Sequence, residues 1–159
     1  MRGRAPDKPA STADLMRYGR ERDALLDRIT PLLQADPRVG AAWLSGSFGR
    51  DEADEWSDLD LHVAVEDDHF PAFLRERPDL FGRAGHPILV QQDMPSDSMP
   101  GGRFQLALYA GTIEVDWNIG PISQAARPAA SRVLFDRVGI PLATPPPLTP
   151  AERRAKADQ

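Results

Sequence analysis

Cysteine is absent from the 159-residue chain, which excludes disulfides, thiolate metal sites and cysteine nucleophiles together. Lysine is nearly absent as well: it occurs only at Lys8 and Lys156, against 17 arginines. With no lysine in the stretch that patterning assigns to the core, a P-loop, a Schiff base and a lysine general base are all disfavoured, and no GxxxxGK[ST] occurs. No apolar run approaches the roughly 20 residues of a membrane span, and the N-terminal MRGRAPDKPASTAD is basic without the apolar segment of a secretory signal. Positive charge is also in deficit. The net charge of −5 and pI near 5.2 leave no basic field to hold a phosphate backbone or an anionic membrane, so neither bulk nucleic acid nor membrane is expected as a partner. The expected location is cytoplasmic.

What is present suits one domain, since a chain of this length buries about 70% of the surface it exposes when unfolded. The 16 prolines gather toward the ends. Residues 1–10 read as a disordered tail, residues 11–140 as the folded domain, and residues 141–159 as a proline-rich linker followed by the start of a helix. From an N-cap among Ser11, Thr12 and Asp14, a helix is predicted through Gln34, with Leu15, Tyr18, Leu25, Leu26, Ile29, Leu32 and Leu33 as its core-facing stripe. VGAAWLSG reads as a buried strand ending in a glycine turn. DLDLHVAV alternates, with Leu59, Leu61, Val63 and Val65 on one face and Asp58, Asp60, His62 and Ala64 on the other. A short helix over 68–81, a strand at HPILVQQD and a hairpin of RFQLALYA with TIEVDWNI follow. The second hairpin strand repeats the pattern: Ile113, Val115, Trp117 and Ile119 face the core, with Glu114, Asp116 and Asn118 opposite. VLFDR reads as a last strand, and Thr149-Pro150 as a cap and first helical position.

The chemistry concentrates in GSFGRDEADEWSDLDLHV, residues 46–63, where six of the ten residues from Asp51 to Asp60 are acidic. Residues i and i+2 on a strand project from one face about 6.5 to 7 Å apart, so Asp58 and Asp60 repel each other unless water, an arginine or a hard cation intervenes. Magnesium takes one or two carboxylates and completes its shell with water and phosphate oxygens. A third carboxylate on a neighbouring strand permits a second metal, and Asp116 is the candidate. The turn before the strand supplies the complement. Gly46 allows close backbone approach, Ser47 offers a hydroxyl, a following helix would present free N–H groups, and Arg50 could add positive charge.

These residues resemble the DNA polymerase beta-like nucleotidyltransferase superfamily, in particular its small bacterial members related to antibiotic nucleotidyltransferases. Gly46 and Ser47 match the phosphate-binding pair of that pattern, Asp58 and Asp60 its metal pair, and Asp116 in IEVDWNI its third carboxylate, over residues 39–120. The resemblance implies an α+β fold with a mixed sheet flanked by helices. It also implies transfer of a nucleoside monophosphate from a nucleoside triphosphate to a hydroxyl, with Mg2+ or Mn2+ as cofactor and pyrophosphate released. The chain departs from the pattern at Asp51, where many relatives carry glycine. Relatives also continue into a helical domain that helps form the acceptor pocket, so the hydroxyl acceptor, a small molecule or a protein, has no signature here.

Each assignment competes with a plainer one. Asp58 and Asp60 could be a solvated strand end, and Glu114, a candidate for the base that takes the acceptor's proton, could be an ordinary exposed carboxylate. Arg50 and Arg103 could be solvated cations, His62 a surface histidine, and Trp43, Trp56 and Trp117 core or rim aromatics, with Trp56 placed to stack on a base. At the level of function, the alternative to an enzyme is a nucleotide-binding regulatory module, a member of a toxin–antitoxin-like pair, or an inactive fragment. A homodimer or a helical partner chain would cover the apolar surface that the expected helical half leaves open.

Overall fold

The computed structural model describes residues 11–54, 57–144 and 147–158. The proposed N-terminal tail, Trp56, and part of the proline-rich segment lie outside these residues. Helix α1, Thr12–Ala35, is capped by Ser11, whose hydroxyl accepts from the Asp14 N–H at 3.1 Å. Its stripe of Leu25, Ile29 and Leu33 is fully buried. Strand β1, Val39–Leu44, leads through the one-turn helix α2, Gly46–Gly49, to strand β2, Leu59–Val65.

The helix predicted over 68–81 is two helices, α3 (Phe70–Arg75) and α4 (Arg77–Ala84), joined at Glu76. Pro78 lies in the first turn of α4 and has no N–H to continue the ladder of α3, so the helix restarts there. Short strands β3 (Pro87–Val90) and β4 (Met94–Pro95) precede the hairpin of β5 (Arg103–Tyr109) and β6 (Ile113–Pro121). Strand β7, Arg132–Asp136, and helix α5, Pro150–Ala157, complete the order, with Thr149 and Glu152 forming a capping box on α5.

The seven strands make one mixed sheet in the order β3-β5-β6-β2-β1-β7, with β4 also on β5. Only the β2–β6 pair is parallel among the described residues; the remaining neighbours run antiparallel. One sheet face carries the main core: Leu59, Leu61, Val63, Val115, Trp117 and Ile119 pack under Leu25, Ile29, Leu33, Phe73 and Phe81. The predicted apolar faces of β2 and β6 are therefore the observed ones.

The opposite face departs from expectation. Its far half is covered by irregular chain, so that Ala41, Trp43 and Ala64 form a second small core with Met99, Ala125 and Ile140. His62, expected at the surface, is only 2% exposed and stacks on Trp43 with ring centroids 5.6 Å apart. Burial pushes its imidazole below the usual pKa, against the opposing pull of the Asp60 charge.

Candidate active site

The site is assembled where β2 and β6 begin side by side. Because these strands are parallel and in register, Asp60 is the direct partner of Asp116, and His62 of Asn118. Two carboxylates that the sequence separates by more than fifty residues thus share one edge of one face. Asp58 lies just ahead of β2 and is exposed, and its Oδ1 accepts a hydrogen bond from the Tyr18 hydroxyl at 3.1 Å. Asp60 is half-buried; its Oδ1 accepts from Asn118 Nδ2 at 3.3 Å and lies 4.0 Å from His62 Nδ1. Glu114 stands two residues before Asp116 on the same face of β6.

Asp116 shows the electrostatic state of this cluster. Its carboxyl is pushed up from 3.8 to about 7, first by burial, then by the charge of Glu114 and a hydrogen bond with it, and then by Asp60 and Asp58. Its Oδ1 is buried without a hydrogen-bond partner. A carboxyl kept protonated by burial and neighbouring acids, with one oxygen lacking a donor, has the chemistry of a ligand for a hard cation. Among the described residues, no group of three histidine, aspartate or glutamate side chains stands as a closed ligand set. The fit to a metal therefore rests on donor type and on Asp116 Oδ1, not on a preformed cage.

The glycine-serine turn meets the aspartates directly. The Ser45 N–H donates to the Asp60 carbonyl at 2.9 Å, which ties the end of β1 to β2. Gly46 follows with φ +65, a left-handed conformation that favours glycine, and a Cβ there would lie 3.6 Å from Asp60 Oδ2. Ser47 is half-buried at the second position of α2, and the Ser45 hydroxyl, which patterning did not single out, is buried without a partner. Arg50 is occupied in an exposed ion pair with Glu52 at 3.0 Å. Asp51, the departure from the family pattern, has φ +56: its backbone adopts the left-handed geometry for which glycine is suited.

Helix α1 braces the loop between turn and strand. Arg22 is buried, lies 4.8 Å over the Phe48 ring of α2, and donates to the carbonyls of Asp54 at 2.6 Å and Ser57 at 3.1 Å. Arg103 is not brought to the site. It is held by Asp93 at 2.8 Å, beside Arg77 from α4, on the main-core side of the sheet. Patterning assigned Tyr18 and Arg22 to an ordinary amphipathic helix and gave Asn118 no role. For Asn118 a signal existed, because it lies two residues beyond Asp116 on the same strand face.

Residues 26–88 match the nucleotidyltransferase domain family, a span that includes Gly46, Ser47, Asp58 and Asp60 but not Glu114 or Asp116. No curated protein matches the sequence. Among solved structures, a chain described as the structure of a GLD-2/RNP-8 complex is similar with a TM-score of 0.38 and 15% identity, over 69% of this chain. This protein spans about a third, 34%, of that chain's length. Over residues 26–88, less than half of its length, the chain is thus similar to a nucleotidyltransferase domain.

Proposed function

We propose that the protein is a metal-dependent nucleotidyltransferase that moves a nucleoside monophosphate from a nucleoside triphosphate to a hydroxyl of a small molecule or protein. The observation that carries this proposal is the register of Asp60 with Asp116, with Gly46 against the same Asp60. Asp58, Asp60 and Asp116 would hold Mg2+ or Mn2+. The bound ion supplies neutralisation of phosphate charge and a lowered pKa at the acceptor hydroxyl.

The chain's own groups divide the remaining work. The Gly46–Ser47 turn binds the triphosphate, its backbone N–H groups and the Ser47 hydroxyl donating to phosphate oxygens. The acceptor oxygen forms a bond to the α-phosphorus as the bridging bond to the β-phosphate breaks, and pyrophosphate leaves opposite the attacking oxygen. The hydroxyl proton passes to a carboxylate, for which Glu114 is the candidate beside Asp116. Arg50 reaches a phosphate only by leaving Glu52, and a solvent-exposed pair of that kind contributes little, about 1 kcal/mol or less, to hold it back.

The products test the assignment. Labelled nucleoside triphosphate with magnesium and a candidate acceptor should yield pyrophosphate and a nucleotidylated acceptor. Orthophosphate with nucleoside diphosphate would instead indicate a phosphohydrolase or kinase. A second proposal, a nucleotide-binding module working with a partner chain, is favoured by the exposed apolar residues Ile88, Leu89, Val90 and Met94 at one sheet edge. Binding of magnesium and triphosphate without turnover would support it.

A further inference from the structure

We infer that Tyr18 and Asn118 are positioning residues, each a neutral donor that fixes one carboxylate of the aspartate pair without bringing a positive charge of its own to it. This inference rests on the proposed function and names how the same site is set. The Tyr18 hydroxyl reaches from α1 to Asp58 Oδ1 at 3.1 Å. The Asn118 amide reaches from β6 to Asp60 Oδ1 at 3.3 Å, and Asp60 Oδ2 is then the oxygen that faces Gly46. One oxygen of Asp60 is held by the fold while the other is presented to the turn that would bind phosphate.

The choice of donor matters as much as its position. An arginine in either place would orient the carboxylate but also cancel its charge and compete with a cation. A phenol and an amide orient without competing. Asn118 is itself held. Only 4% exposed, it accepts from Ser96 Oγ at 2.8 Å and Ser98 Oγ at 3.4 Å, and Ser98 Oγ also lies 2.8 Å from His62 Nε2. The Ser96 hydroxyl in turn accepts from the Met99 N–H at 3.1 Å, so the amide's orientation is set by the turn that follows β4. With its Oδ1 engaged by two hydroxyls, the amide turns its Nδ2 to Asp60 Oδ1 and, at 3.4 and 3.5 Å, to the carbonyls of Leu61 and Asp116. Outer donors of this kind typically change metal affinity about 10- to 100-fold when removed.

The test compares Tyr18→Phe, Asn118→Ala and Ser96→Ala with the wild-type chain. Manganese binding in the presence of ATP is read by electron paramagnetic resonance, and the melting temperature is read without metal. Because Asn118 is buried, Ser96→Ala provides the milder variant, which removes the shorter of the two hydroxyl bonds to the amide without emptying its place. The expected result is manganese affinity weakened about 10-fold in Tyr18→Phe and Ser96→Ala, at metal-free melting temperatures close to wild type. Affinity within twofold of wild type in both variants would overturn the inference, as would losses that follow the metal-free melting temperature. A wild-type chain that binds no manganese–ATP would overturn the functional proposal, and this inference with it.

Discussion

Asp116 is the residue on which the electrostatics of the site converge. Its carboxyl holds a proton to about pH 7 when folded, against 3.8 otherwise, because burial and three neighbouring acids oppose its ionisation. A carboxyl whose folded pKa is raised contributes stability that is present below the unfolded value and lost as pH rises through the folded one. The metal-free protein should therefore lose stability between pH 4 and about 7, and Asp116→Asn should remove that part of the slope, as read by urea unfolding at several pH values. Magnesium should flatten the wild-type slope by favouring the ionised form. At Asp51, φ +56 strains an L-residue, so Asp51→Gly should stabilise the folded chain by about 1 kcal/mol, less what glycine loses through greater freedom when unfolded. An unchanged or lower midpoint would show that the Asp51 side chain contributes more than its backbone costs.

Among the elements, the one-turn helix α2 is tightly fitted to its surroundings. A Cβ at Gly49 would overlap the Ala130 carbonyl oxygen in the segment leading to β7 and would crowd the Leu44 carbonyl. Gly49→Ala should consequently destabilise the protein by about 2 kcal/mol or more, since rigid backbone on both sides cannot yield as a side chain can. Calorimetric melting of the variant checks this, and a wild-type melting temperature would contradict the packing. Helix α1, the faces of β2 and the β5–β6 hairpin were legible in the sequence because each repeats a period: 3.6 in the stripe of Leu25, Ile29 and Leu33, and 2 in Leu59-Asp60-Leu61 and Val115-Asp116-Trp117. The cover over His62 was not, because it is built from residues 96–102 and 121–142, much of it turn and coil with no period to read. For the same reason strand β4, two residues long, left no pattern, whereas the break at Glu76 was available in Pro78.

At the scale of the molecule, parallel pairing of β2 with β6 brings separate sequence signals together at one strand end, as a candidate site. The family match reaches Asp58 and Asp60 and stops at residue 88, so Asp116 is tied to them by sheet topology alone. Tyr18 joins from α1 and Gly46 from the end of β1, so four segments meet within a few ångströms of one strand end. Such a site should respond as a unit. A ligand that binds only the folded state at about 100 times its dissociation constant adds roughly 2.7 kcal/mol of stability. The most direct measurement is thermal unfolding of the wild type and Asp60→Asn during a titration with magnesium and nucleoside triphosphate. A single site predicts a rise in melting temperature for the wild type that is abolished in Asp60→Asn, while the two proteins retain the same fold by circular dichroism. A wild-type curve that does not move across the titration, or an Asp60→Asn curve that rises equally, would contradict it.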